Sequence, residues 1–226
     1  LYYTSDFSII KVVKKIFVLL FIFLLIGNIA LAQNRMFWRG DESKKEVFLT
    51  FDDGPEWSAT PKIVKLLKKS DVKATFFVIG KSVKTNPSLV RWLVDEGHAI
   101  GNHTYSHSRN YRISEAQAFE ELKKTSDLIY KAAGYQVKYY RPPFGIFNYR
   151  YVKAADKNGL DVAFWDIDLG NLNVSAERLI ERIVSRVRNG SIILCHNSDI
   201  LKPSFKKALP EIIKRVKARG YVFRTL

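Results

Sequence analysis

From Lys44 onward, short runs of apolar and β-branched residues alternate with longer stretches whose apolar positions recur every three or four residues. The runs at 46–51, 74–79, 98–102, 139–141, 161–165, 192–195 and 221–224 read as strands. The run 74–79 lacks polar alternation, which predicts a strand buried on both faces. Helices are expected between them. The first follows Pro61, with Ile63, Leu66 and Leu67 turned inward and Lys62, Lys65, Lys68 and Lys69 in solvent. Others cover 87–96, stopped by Gly97, and 114–133, capped by Ser114 and stopped by Gly134. Three more cover 148–158, 176–188 and 203–219. Seven or eight βα units in about 180 residues predict an α/β fold, a parallel sheet covered by helices in a single domain. No glycine-rich dinucleotide turn follows the first strand, which favours a closed or nearly closed barrel over an open doubly wound sheet.

The first 32 residues follow another pattern. Lys11, Lys14 and Lys15 precede an unbroken apolar run at 16–26, and Ala30-Leu31-Ala32 has the small-x-small form of a signal-peptidase site. A secretory signal is the favoured reading. An uncleaved membrane anchor is the alternative, but 16–32 is at the short end for a span and Asn28 interrupts it. Either way the chain is expected to be exported: periplasmic, cell-surface or secreted. Residues 33–45 then form a short connecting segment, and 46–226 the functional domain.

Composition narrows the class. The chain has 226 residues, 47% hydrophobic and 26% charged, enough for one well-buried domain and unlike a disordered tail. Its formal charge is +15, and losing 1–32 removes three lysines and one aspartate to leave +13. Such a surface is drawn to anionic partners without specifying which. A single cysteine, Cys195, excludes an intramolecular disulfide.

In parallel α/β sheets, reactive groups gather at the C-terminal ends of strands. Here five strand ends carry charged or imidazole groups: Asp52-Asp53-Gly54-Pro55, His103 through His107, Arg141-Pro142-Pro143-Phe144-Gly145, Asp166-Ile167-Asp168, and His196-Asn197. Taken alone, Asp-Asp-Gly-Pro is ordinary turn chemistry. His103 and His107, at i and i+4, share a face if they lie on a helical turn. With a carboxylate they make a two-His-one-carboxylate set that leaves coordination positions for water and substrate. Arg141, beside two prolines, reads as a fixed charge partner for a carboxylate. Cys195 and His196 point to opposite faces of a strand, so the cysteine reads as a small buried residue and not as a nucleophile. His98, at the start of its strand, reads as structural.

Together these stretches resemble the polysaccharide deacetylases with a NodB-homology domain, carbohydrate esterase family 4. Thr50-Phe51-Asp52-Asp53-Gly54-Pro55 is similar to the family's first motif and His103-Thr104-Tyr105-Ser106-His107 to its second. Arg141-Pro142-Pro143-Phe144-Gly145 is similar to the third and Leu194-Cys195-His196 to the fifth. The likeness runs from Val47 to Leu226. It implies a distorted (β/α)7-type barrel that hydrolyses N-acetyl groups on amino sugars of a cell-envelope or extracellular polysaccharide. It implies one divalent metal, zinc first and cobalt or manganese as alternatives, on Asp53, His103 and His107. Asp52 would be the general base, Arg141 its orienting partner and His196 the general acid. Leu194 would line the pocket for the acetyl methyl, and the Phe144 backbone N–H would face the oxyanion. The implied partner is an acetylated amino-sugar polymer in an anionic envelope, not nucleic acid, with membrane contact only through the N-terminal segment.

One motif departs. Where the family carries Asp-x-x-Asp-Trp, this chain has Asp168-Leu169-Gly170-Asn171-Leu172. Asn171 replaces the aspartate that tunes the catalytic histidine; an amide can orient an imidazole but cannot stabilise its charge. Asp166 and Asp168 are the substitutes within reach of the sequence. Two rival functions remain at this point, an O-acetyl esterase of the acetylxylan type and a glycan-binding protein without turnover.

Overall fold

The computed structural model describes residues 35–109 and 112–226. The expected export segment lies outside the described residues, and among those described no helix is long and apolar enough to cross a membrane. The strands are β1 (Met36–Phe37), β2 (Glu46–Asp52), β3 (Thr75–Val78), β4 (Ala99–Asn102), β5 (Tyr139–Tyr140), β6 (Asp161–Ala163), β7 (Ile167–Asp168), β8 (Ile192–His196) and β9 (Val222–Arg224). The α-helices are α1 (Thr60–Lys69), α2 (Gly80–Thr85), α3 (Pro87–Asp95), α4 (Glu115–Ala133), α5 (Tyr149–Lys157), α6 (Ala176–Val184) and α7 (Pro203–Ala218). Single 3-10 turns follow β5 and β8, at Pro143–Gly145 and Asn197–Leu201.

The strands form one sheet in the order β1-β6-β5-β4-β3-β2-β8-β7, with β9 added to β2, and every strand pairing is parallel. The sheet curls into a distorted half-barrel, so the α/β class and the parallel sheet are as predicted. β2 is its centre: Val47 through Asp52 are all buried, and the strand pairs with β3, β8 and β9. β3 is buried along its whole length, the outcome its unbroken apolar run predicts. Its Phe77 ring lies against Gly101 of β4 so closely that a Cβ there would collide with the ring. That packing fixes the ring over which the Arg141 guanidinium lies, 4.0 Å from its centroid.

The helices follow their local signals. α1 has Pro61 in its first turn and buries Ile63, Val64 and Leu67, with Leu66 only partly covered. Ser114 caps α4 through a reciprocal box with Gln117, and Gly134 ends it at φ 66°. Three details differ from the sequence reading. α2 is an additional short helix, α6 stops at Val184 instead of reaching 188, and β1 and β7 are additional strands. β1 falls in the segment read as a connector and pairs with β6. Two-residue strands carry no periodicity to detect.

His98 is structural, and its chemistry gives a stability prediction. The ring is buried against Phe76, and its Nδ1 accepts the Ala74 N–H at 3.2 Å. Burial, reinforced by the nearby Lys73 charge, pushes its pKa down from 6.5 to about 4. Between those values the unfolded chain binds a proton that the native chain refuses. The contribution is therefore complete above pH 6.5 and falls by about 3 kcal/mol as pH drops to 4. Urea melts at pH 7 and 4.5 should show this loss in the wild type, and a shallower slope in His98→Gln.

Candidate active site

Asp52 ends β2 and Asp53 follows it, and their backbone explains how adjacent carboxylates serve one place. Successive strand residues point to opposite faces. Asp53, however, has φ 74°, which breaks the strand and turns its carboxylate back toward the rim. As a result Asp52 Oδ2 lies 3.7 Å and Asp53 Oδ1 3.4 Å from the same nitrogen, His103 Nε2. His107 Nε2 lies 3.2 Å from Asp53 Oδ1 on the other side.

The two histidines do not lie on a helical turn, so the condition under which i, i+4 spacing would bring them to one face is not what unites them. Residues 103–107 form an irregular loop, with positive φ at Thr104 and His107. Side chains hold it in shape. Asn102 Oδ1 accepts the Thr104 N–H, Thr104 Oγ1 accepts the His107 N–H, and Glu121 of α4 accepts three hydrogen bonds, from Tyr105 N–H and from Ser106 N–H and Oγ–H. Sequence reasoning missed Glu121, which lies more than a dozen residues away on a helix read only for its apolar face. Glu121→Ala should weaken metal binding about tenfold, as loss of a group supporting a ligand does. Zinc titration calorimetry against Glu120→Ala, an exposed neighbour of equal charge, checks this.

The donor chemistry of the cluster fits a divalent ion. One oxygen of Asp53 and one nitrogen each of His103 and His107 lie within 4.8 Å of one another. His103 Nδ1 donates to the Arg141 carbonyl at 2.8 Å, so its proton sits there and the Nε2 lone pair faces Asp53. Burial and the adjacent His103 hold His107 below its ordinary pKa, keeping that ring neutral and able to ligate. Most telling, Asp53 Oδ1 is a buried atom without an aligned hydrogen-bond donor among the described residues. A buried carboxylate oxygen left so is costly unless something cationic meets it.

Asp52 has a different environment. It is buried beside Arg141, which is wholly buried and crosses the half-barrel from β5 to β2. Arg141 Nη1 donates to Asp52 Oδ1 at 2.8 Å and to Thr50 Oγ1 at 2.7 Å; its other nitrogens donate to the carbonyls of Ala163 and Phe164 at 3.1 and 3.0 Å. Burial lowers the guanidinium pKa and Asp52 opposes that, the mutual dependence of a buried ion pair.

His196 is in register with Asp52 across the β2–β8 ladder, so the two side chains leave neighbouring strands, about 4.8 Å apart, on the same side. Its partner is Asp199, which sequence reasoning also missed. The Asp199 carboxylate accepts the His196 N–H at 2.6 Å and stands 3.6 Å from Nδ1, an ion-pair distance longer than a hydrogen bond. The Asp199 backbone N–H completes the reciprocal cap onto the ring. Asp199, partly offset by burial and helped by Asp52 and Asp53, pushes the His196 pKa up to about 9. The signal that could have found it is the spacing His-x-x-Asp directly after a strand.

The remaining expected residues divide. Phe144, at φ 62°, lays its ring 4.5 Å from the His107 ring, beside the cluster. Leu194 is buried on the strand face it shares with His196. Asp168 and Asn171 turn onto local backbone instead, accepting the Gly170 and Asn173 N–H groups. Asp166 is occupied by Arg188, Ser191 and the Ile192 N–H. The carboxylate at the His196 ring is thus Asp199, not one from the 166–171 stretch. Cys195 is fully buried, its thiol pushed up by burial, and is inert as a nucleophile.

Comparison with known proteins agrees with this geometry. A family model described as polysaccharide deacetylase matches residues 39–163. A peptidoglycan-N-acetylglucosamine deacetylase of Bacillus cereus is 37% identical over 83% of this chain and 69% of its own. A peptidoglycan-N-acetylmuramic acid deacetylase of Bacillus subtilis is 32% identical over 84% of this chain and 73% of its own. Among solved structures, a CE4 family pseudoenzyme from Bacillus anthracis superposes with a TM-score of 0.78 at 31% identity, over 85% of this chain and 68% of that one. This chain belongs to the polysaccharide deacetylases, carbohydrate esterase family 4.

Proposed function

We propose that this protein is a metal-dependent N-deacetylase of N-acetylglucosamine-type residues in a cell-envelope polysaccharide, with peptidoglycan the first candidate. The observation that carries it is the buried, unpartnered Asp53 oxygen facing two imidazoles, immediately beside an ion-paired Asp52. The relatives that act on peptidoglycan support the polymer class. Residues 46–226 would carry the activity, with 1–32 as the export signal or anchor, and the basic surface suits an anionic envelope.

Asp53, His103 and His107 would hold the ion, zinc first and cobalt or manganese next. When bound it supplies Lewis acidity, lowering the pKa of water and polarising the acetyl carbonyl. Asp52 accepts the proton of the attacking water, and Arg141 holds that carboxylate in place. The Phe144 backbone N–H faces the developing oxyanion, and Leu194 lines the space for the acetyl methyl. His196 protonates the departing nitrogen, and the products are acetate and a free amine.

The test is acetate release from peptidoglycan fragments, chitooligosaccharides and acetylxylan, with zinc, cobalt or manganese supplied. Release from the N-acetylated glycans is expected. Release from acetylxylan alone would assign the protein as an O-acetyl esterase. Sugar binding without acetate from any of them would make it a binding protein; the Bacillus anthracis structural relative is itself described as a pseudoenzyme.

A further inference from the structure

The imidazole of His196 poses a chemical question that the rest of the site leaves open. A histidine of ordinary pKa, about 6.5, is mostly neutral at envelope pH and makes a poor proton donor. Asp52 and Asp53 on the adjacent strand end also face the ring, and His107 faces it from the loop after β4. Asp52, however, is committed to Arg141, and Asp53 lies between the two metal-site imidazoles. Asp199 has no such commitment. It is largely covered, and among the described residues its carboxylate forms no ion pair with a lysine or arginine.

Its placement is built into the chain. β8 ends at His196, and the 3-10 turn at Asn197–Leu201 folds straight back, so residue 199 returns to the strand end. There it grips His196 in two ways: the carboxylate takes the backbone N–H, and both the carboxylate and the Asp199 backbone N–H stand at Nδ1. Nδ1 thus finds a partner with or without its hydrogen, and the opposite nitrogen, Nε2, is left for the open side. The side chain is nearly half exposed, at 45%, as a group meeting a polymer must be.

We propose that Asp199 is a positioning residue for His196, a carboxylate supplied from the same strand end that keeps the imidazole oriented and charged for proton delivery. The inference rests on the deacetylase reading for what the proton is used for. In that step the Nε2–H bond breaks and an N–H bond to the leaving nitrogen forms. The electrons of the C–N bond depart with that nitrogen, and the ring keeps its Nδ1 hydrogen opposite Asp199. Solvent then restores the Nε2 proton. The raised pKa of His196 is consistent with this assignment, with Asp199 its largest cause.

The test uses Asp199→Asn in the zinc-loaded protein. Asparagine keeps an oxygen for the His196 N–H and leaves the Asp199 backbone in place, so a capping role survives while the charge is lost. Three results are expected. The His196 imidazole, followed by NMR, should titrate at least one pH unit lower in the variant. Acetate release from N-acetyl glycan should fall about 10²-fold in kcat with KM little changed. Hydrolysis of p-nitrophenyl acetate, whose leaving group needs no proton, should change less than about threefold. Asp199→Glu should recover most of the amide activity. Equal losses on both substrates, or an unshifted His196 titration, would overturn the proposal. Should the wild type release no acetate, the deacetylase reading fails while the titration still decides what Asp199 does to His196. Should Asp199→Asn not fold, Asp199→Ser replaces it, with a hydroxyl to accept the His196 N–H and the same expected titration shift.

Discussion

Replacing Asp52 with Asn is expected to lower kcat/KM for acetate release by a factor of about 10²–10⁴ while zinc stays bound. The separation of the two effects comes from the geometry. Asp52 meets Arg141 at 2.8 Å through one oxygen, and the other is 3.7 Å from His103 Nε2. The three groups that converge for an ion are Asp53, His103 and His107, none of which is altered. An amide cannot accept the water proton, so the loss belongs to the chemical step and corresponds to about 3–5 kcal/mol of barrier. Some stability is lost too, because Arg141 keeps its contacts to Thr50, Ala163 and Phe164 but not its counter-ion. Assays must therefore be run well below the variant's melting temperature. Full turnover with zinc bound would remove Asp52 as the base.

Arg141→Leu is expected to be the most destabilising single change in the site, at about 3–5 kcal/mol. The guanidinium is fully buried and ties β5, β2 and the segment after β6 together through four hydrogen bonds. Without it, the Asp52 carboxylate remains buried with no cation, and two backbone carbonyls lose their donor. Arg141→Lys does not repair this, since a point charge with one nitrogen cannot reproduce a planar fork. Denaturant melts of the two single variants and the double Asp52→Asn/Arg141→Leu variant separate the causes. The double variant should be less destabilised than the sum of the singles, because removing both partners leaves no buried charge unpaired. Strict additivity would mean the pair does not interact as its 2.8 Å contact implies.

The way these residues meet also shows what a sequence can and cannot reveal. Parallel strands deliver all their C-terminal ends to one rim, so polar residues that end apolar runs were bound to approach one another. That reasoning located Asp52, Asp53, His103, Arg141 and His196 without coordinates. It does not give the route by which His107 arrives, because i, i+4 spacing brings two rings to one face only on a helical turn, and no such turn forms here. The actual loop depends on left-handed backbone at Thr104 and His107 and on three hydrogen bonds to Glu121, a tertiary contact with no local signature. The Asn171 substitution directed attention to the 166–171 stretch for a carboxylate. Asp168 and Asn171 are consumed by their own turns and Asp166 by Arg188, Ser191 and the Ile192 N–H, and the imidazole finds its partner three residues downstream, on a 3-10 turn whose return could not be read from periodicity. β1 and β7, two residues each, carry no periodicity, whereas β5, equally short, is marked by the Pro142-Pro143 stop that follows Arg141.

The convergence of Asp53, His103 and His107 on one ion is the physical premise of everything proposed for this site. Equilibrium dialysis against zinc measures it directly, on the wild type, Asp52→Asn and Asp53→Ala. One ion per chain is expected in the first two, with affinity lost by orders of magnitude in the third. Zinc held as tightly by Asp53→Ala as by the wild type, or none held by any of the three, would contradict it.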